Sequence, residues 1–261
     1  MQPEIDIGPL TLQTFGLCFA AAFVAAGAVV WKRLVEWGKP GDWAYEMVFF
    51  AAVGGIAGSR IDFIIENYDE VSDDLLGNIF SGSGLVWYGG LIGGAIGVVL
   101  WARYRGLLDL GLLDLAAVPL ALGYAIGRIG CQISGDGDYG QPWDGPWAMA
   151  YPEGTVATDV PVHPTPIYET LTMGAVAYGL WRLRDRYRAG ILFAIYLVAA
   201  GVERFLVEFI RRNEDVALGL TQAQLLSVAM MLAGGIWITT IARRGKLLRE
   251  PAASLTRARA G

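Results

Sequence analysis

Seven stretches of the chain run for roughly twenty residues with few charges, and each ends on charged, aromatic or glycine residues. This pattern predicts membrane-spanning helices, because a helix rising 1.5 Å per residue needs about 20 apolar residues to cross a hydrocarbon core about 30 Å thick. The spans fall at about Leu10 to Trp31, Trp43 to Ile65, Leu85 to Ala102, Leu107 to Gly130, Ile167 to Arg182, Gly190 to Ile210 and Leu220 to Ala242. The predicted fold is an all-α membrane protein, a single polytopic membrane domain over residues 1–261. A small head at 131–164 is inserted between spans four and five, and a basic tail covers 245–261. The head is rich in Pro, Gly, Trp and Asp, and Trp143, Trp147, Met149 and Tyr151 are expected to anchor it as a folded unit.

Composition supports this class. The mean hydropathy is +0.44, and 54% of residues are hydrophobic against 17% charged, which excludes an ordinary soluble domain. Trp31, Trp43, Trp101, Trp181 and Tyr168 stand at span ends, where amphipathic rings suit the headgroup level. Two cysteines, Cys18 and Cys131, and one histidine, His163, provide neither a disulfide framework nor a metal set. No metal, cofactor or nucleic-acid partner is expected.

The cations then orient the chain. Lys32, Arg33, Lys39, Arg103, Arg105, Arg182, Arg184, Arg186, Arg188, Arg243, Arg244, Lys246, Arg249, Arg257 and Arg259 all follow spans one, three, five and seven. By the positive-inside rule that face is cytoplasmic, leaving the N-terminus, the acidic connection Glu66 to Ser83 and the head outside. Five arginines, Arg60, Arg128, Arg204, Arg211 and Arg212, instead fall at the outer ends of spans.

Those exceptions carry the candidate chemistry. In Gly127-Arg128-Ile129-Gly130-Cys131-Gln132-Ile133-Ser134-Gly135-Asp136-Gly137-Asp138-Tyr139-Gly140 the apolar helix is expected to run out near Arg128 into a glycine-rich loop. An arginine at the centre of a membrane helix costs about 2.5–3.5 kcal/mol, and less toward its end, so Arg128 either snorkels or meets an anion. Arg204, Glu208 and Arg211 are spaced i, i+4, i+7 and share one face of span six. One reading is an Arg204–Glu208 ion pair that sets helix register. It leaves Arg128 and Arg211 without partners, which favours an anionic ligand such as a phospholipid headgroup, since guanidinium forks bind phosphate oxygens bidentately. The Gly89-Gly90 and Gly93-Gly94 pairs either cradle phosphate or let helices approach closely, as Gly54-Gly55-Ile56-Ala57-Gly58-Ser59 would.

Four motifs in order then resemble the prolipoprotein diacylglyceryl transferase family: Tyr88-Gly89-Gly90-Leu91-Ile92-Gly93, Gly127-Arg128-Ile129-Gly130 with its downstream Gly-Asp-Tyr-Gly, His163-Pro164-Thr165-Pro166-Ile167-Tyr168-Glu169, and Arg204-Phe205-Leu206-Val207-Glu208-Phe209-Ile210-Arg211. The resemblance implies a multi-pass enzyme of the bacterial inner membrane, N-terminus periplasmic and C-terminus cytoplasmic. It would move the diacylglyceryl group of phosphatidylglycerol to the lipobox cysteine of a prolipoprotein signal peptide. It assigns catalysis to Arg128, Arg204, Tyr88, Glu208 and His163, and substrate binding to Arg128, Arg204, Arg211, Asp136, Gly140, Gly89 and Gly90. Tyr88 is expected to orient the headgroup or thiol, and His163 either accepts a proton or shapes the start of span five. Tyr88, Cys131, Phe15 and Ala200 depart from residues common in the family, and Asp136 replaces a glutamate. These departures keep two other readings open, a non-catalytic or altered-acceptor lipid-binding relative and an anion transporter. Liposome uptake and transfer assays separate them.

Overall fold

The computed structural model describes residues 1–68, 86–245 and 247–249. The acidic connection after the second helix and nearly all of the basic tail lie outside these residues. Among the described residues there are seven helices: α1 (Thr14–Glu36), α2 (Trp43–Glu66), α3 (Trp87–Arg105), α4 (Leu110–Ser134), α5 (Thr165–Leu183), α6 (Ile191–Glu208) and α7 (Gln222–Arg243). Four of them, α1, α2, α4 and α7, are long and apolar enough to cross a membrane, and the chain is a multi-pass membrane protein. The other three run 19, 19 and 18 residues and carry polar groups in their first or last turns.

The all-α expectation needs one correction. Three antiparallel hairpins cap the helices: β1 (Glu4–Ile7) with β2 (Leu10–Gln13), β3 (Met149–Tyr151) with β4 (Thr158–Val162), and β5 (Asp215–Ala217) with β6 (Leu220–Thr221). The first takes residues that hydropathy assigned to span one. Gly8 adopts φ +63° in its turn, a conformation glycine reaches without steric cost, and the alternating polar and apolar residues of 4–7 and 10–13 suit a strand.

The chain divides into two compact units, residues 27–112 and the remainder. Within 27–112, α2 and α3 pack with backbones nearly touching. A Cβ added to Gly58 would sit 2.8 Å from Gly93 Cα, so the small-residue run predicted to allow close approach does so against the glycine end of α3. That end is a packing surface on an unbroken helix. Its first turn is held by Ser59 Oγ donating to the Val86 carbonyl at 2.7 Å and by Gly89 N–H donating to Asp62 Oδ2 at 2.8 Å.

In the other unit, three helices bring polar groups inward on otherwise apolar stripes. On α4 the buried residues Val118, Ala121 and Ala125 continue at helical spacing to Arg128. The buried stripe of α5 is Thr165, Glu169, Met173, Ala177 and Leu180. Gly201 on α6 allows close approach to α7, since a Cβ there would lie 2.8 Å from the Ser227 carbonyl. A capping box starts α7: Thr221 Oγ1 accepts from Gln224 N–H at 3.2 Å, and the Gln224 side chain accepts from Thr221 N–H at 3.1 Å.

The head is folded around Tyr139, Tyr151 and Val162, with Met1 and Met149 packed against them and the two tyrosine rings stacked at 4.7 Å. Of the four expected anchors, Trp147 is 59% exposed. Its indole N–H instead donates to the Tyr168 hydroxyl at 2.7 Å, a polar tie that apolar anchoring does not anticipate.

Candidate active site

Glu169, in the second turn of α5, is fully buried and gathers three guanidiniums. Arg128 Nε lies 3.3 Å from its Oε2, Arg204 Nη1 3.2 Å from Oε1, and Arg211 Nη1 3.6 Å from Oε2. The Tyr124 hydroxyl donates to Oε1 at 2.8 Å, and the Arg128 guanidinium stands 4.9 Å over the Tyr124 ring. Two further carboxylates close the cluster. Glu208 Oε2 is 2.8 Å from Arg204 Nη2 and 3.9 Å from Arg211 Nε, while its Oε1 accepts from Asn213 Nδ2 at 2.6 Å and from the Thr221 hydroxyl at 2.8 Å. Asp138 bridges Arg128 and Arg211, one carboxylate oxygen to each.

This arrangement corrects the sequence reading in two places. Helix α4 does not stop at Arg128; it runs six residues further, to Ser134, and ends where Gly135 takes φ +60°. Gly130 costs the helix little because its missing side chain faces Cys18 and Phe15, with a Cβ position only 3.0 Å from Cys18 Cβ. Arg128 and Arg211 are not left without protein partners, since Asp138 and Glu169 serve both. Within the loop it is Asp138 that meets the arginines, while Asp136 Oδ1 accepts from Asp138 N–H at 3.3 Å. Arg211 lies just past the end of α6, and its N–H donates to the Glu208 carbonyl at 3.2 Å, which keeps it on the predicted face.

Glu169 was missed as a site residue although it was visible as part of a motif. Its signal is a carboxylate at i−4 and i−8 from the apolar residues Met173 and Ala177 on the buried stripe.

The cluster is incompletely hydrogen-bonded. Arg211 Nη1, Glu169 Oε2 and Glu208 Oε2 are buried and make ion pairs without hydrogen-bond geometry. Buried charges of this kind cost several kcal/mol each to desolvate unless paired. Asp138, in the loop, shows the balance: burial pushes its carboxyl up, but the Arg128 and Arg211 guanidiniums outweigh this and hold its pKa at about 2. Because the folded-state value lies below the unfolded one, the stabilisation is complete above about pH 4 and is lost as pH falls through 2. We expect Asp138→Asn to lower unfolding stability by about 2 kcal/mol at pH 6 and by almost nothing at pH 2, read from denaturation in detergent at each pH.

His163 stacks on Trp143 at 4.3 Å with its Nδ1 3.4 Å from the Tyr168 hydroxyl, and burial lowers its pKa, which favours the neutral ring. Gly140 is a close-packing position: its N–H donates to the His163 carbonyl at 2.8 Å, and a Cβ would sit 3.0 Å from Thr165 Cγ2. Tyr88 is 40% exposed on the first turn of α3 and, with Gly89 and Gly90, belongs to the unit of residues 27–112. Cys131 is buried, with Arg128 Nη1 donating to its sulfur at 3.7 Å. Cys131, Asp136 and Asp138 offer three donor atoms within 4.8 Å of one another. Two guanidiniums already face Asp138, so a metal cation there would meet like charge.

In this multi-pass helical protein, Arg128, Arg204 and Arg211 thus converge on the buried carboxylate of Glu169. Comparison with known proteins makes the class specific. The sequence profile of the prolipoprotein diacylglyceryl transferase family matches residues 3–240. Relatives named phosphatidylglycerol–prolipoprotein diacylglyceryl transferase include one from Bordetella avium, 30% identical over 95% of this chain and 98% of that protein. Another, from Chromohalobacter salexigens, is 34% identical over 89% of this chain and 91% of its own length. A third, from Erythrobacter litoralis, is 32% identical over 97% and 94%. The chain belongs to the prolipoprotein diacylglyceryl transferase family.

Proposed function

We propose that the chain transfers the diacylglyceryl group of phosphatidylglycerol to the lipobox cysteine thiol of prolipoproteins, the first step of bacterial lipoprotein maturation. The observation that carries this reading, beside family membership, is the convergence of Arg128, Arg204 and Arg211 on buried Glu169. In the reaction the cysteine sulfur forms a bond to the terminal glycerol carbon of the diacylglyceryl group, and the bond from that carbon to the phosphate oxygen breaks. The thiol loses its proton to water before attack, and glycerol phosphate leaves carrying the electron pair. The phosphate charge rises from −1 toward −2 as the bond breaks, so guanidiniums held in place beforehand bind the transition state more strongly than the lipid. The same field favours the attacking thiolate, whose parent thiol has a pKa of about 8.5 when free. Glu169 and Glu208 hold the guanidiniums in position. His163 and Tyr88 are assigned supporting roles, orienting groups by hydrogen bonding.

All seven helices are read as spans in the bacterial inner membrane, with the N-terminus and the head periplasmic and the C-terminus cytoplasmic. The distribution of Lys and Arg supports this orientation. Reporter fusions after Arg105 and Arg188 are expected to read cytoplasmic, and one between residues 135 and 164 periplasmic; the opposite pattern sinks the orientation.

Activity is tested with the full chain in phosphatidylglycerol vesicles, measuring transfer to a lipobox peptide, and by complementation of a strain depleted of its own transferase. Transfer and rescue are expected. A folded protein that binds phosphatidylglycerol without transfer is the non-catalytic relative, and solute uptake into the vesicles is the transporter.

A further inference from the structure

We propose that Asp138 is an internal stand-in for the substrate phosphate: its carboxylate holds Arg128 and Arg211 in the ligand-free protein and swings away when the lipid binds. The inference rests on the phosphatidylglycerol reading above and deepens it by naming the protein group with which the headgroup competes.

Three observations carry it. First, the three guanidiniums and the three carboxylates that touch one another balance in charge: Arg128, Arg204 and Arg211 against Glu169, Glu208 and Asp138. A phosphodiester carries one negative charge, so adding it to the closed set would bury an excess anion. Exchanging it for one carboxylate keeps the balance. Second, only one of the three carboxylates can leave at low cost. The side chains of Glu169 and Glu208 are 0% exposed, whereas that of Asp138 is 31% exposed and its path leads to water. Glu208 is also locked by Asn213 and Thr221, and Glu169 by Tyr124.

Third, the departure needs only side-chain rotation. The Asp138 backbone is fixed, because the Thr165 hydroxyl donates to its carbonyl at 2.6 Å. An aspartate has two side-chain torsions, and turning them moves the carboxylate off the arginines while the loop stays in place. What it vacates is a pair of guanidiniums from two different elements, spaced by one carboxylate, the width that two non-bridging phosphate oxygens also span. Asp138 remains ionised throughout the physiological range, so the exchange is driven by competition for the arginines and not by proton uptake.

The consequence is selectivity for lipids that carry a phosphate: a lipid without one cannot displace the carboxylate, and a phosphate can. Removing the competing charge strengthens phosphate binding and slows release of the glycerol phosphate product. The test compares wild type with Asp138→Asn and Asp138→Ser, each full-length and reconstituted, using phosphatidylglycerol vesicles, diacylglycerol vesicles and glycerol phosphate as separate probes. Both variants are expected to bind phosphatidylglycerol at least fivefold more tightly, to be inhibited by glycerol phosphate at correspondingly lower concentration, and to lose kcat along with KM. Diacylglycerol binding stays unchanged.

Unchanged or weaker phosphatidylglycerol affinity in the folded variants makes Asp138 a structural counter-ion and overturns the proposal. Absence of both binding and transfer in wild type instead overturns the functional reading. Should neither variant fold, wild type labelled with carboxyl-13C aspartate is measured by infrared difference on adding phosphatidylglycerol. A shift in the carboxylate stretch supports the exchange, and no shift overturns it.

Discussion

Arg128→Ala and Arg204→Ala are each expected to lower diacylglyceryl transfer by about 10²–10³-fold, the cost of losing one preorganised donor to a developing oxyanion. Lysine at either position retains the charge but not the fork. Arg128 places Nη1 on Asp138 and Nε on Glu169, and Arg204 places Nη1 on Glu169 and Nη2 on Glu208. One ammonium cannot reach two partners in this way, so Arg128→Lys and Arg204→Lys are expected to lose most activity, about tenfold or more. The readout is the initial rate of transfer to a lipobox peptide in phosphatidylglycerol vesicles, with lipid binding measured in parallel. If both alanine variants transfer at the wild-type rate, the arginine cluster is structural and the proposed mechanism is wrong.

The largest effect on stability is expected at Glu169. Breaking a buried ion pair by deleting one partner costs about 3–5 kcal/mol, because the other charge stays buried without compensation. Glu169 is shared by three guanidiniums, so Glu169→Ala should reach at least the top of that range and lower the melting temperature in detergent by several degrees or prevent folding. Glu169→Gln keeps the shape and an oxygen for the Tyr124 hydroxyl while removing the charge, and is expected to fall between wild type and alanine. A Glu169→Ala protein that melts like wild type would show that the guanidiniums are satisfied elsewhere and that Glu169 is not their common anchor.

Much of this was legible before any coordinates. Apolar runs of about twenty residues located the seven helices found among the described residues, four of them long and apolar enough to cross a membrane. The spacing of Arg204, Glu208 and Arg211 predicted their shared face, and Gly54 to Ser59 predicted a close helix contact, because both follow from the 3.6-residue period alone. The arginines at the outer span ends stood out as charges that an orientation rule does not explain.

Other features depended on partners distant in sequence. Hydropathy read residues 10–13 as the start of a span, yet they pair with residues 4–7 as a hairpin, and pairing is a property of two segments. The glycines after Arg128 signalled a helix end, but α4 continues to Ser134 because packing against Cys18 and Phe15 outweighs glycine's weak helix propensity.

The sequence by itself determined the membrane class, the helices, the family motifs and the three arginines, since each depends on local composition or on spacing along one helix. Only the tertiary structure decided which anions those arginines hold. Asp138, Glu169 and Glu208 come from a loop and two helices, and they differ in burial, from side chains 0% exposed to one 31% exposed. Burial and charge pairing are set by what surrounds a group in three dimensions, so the difference between two locked carboxylates and one exchangeable carboxylate arises only in the folded chain.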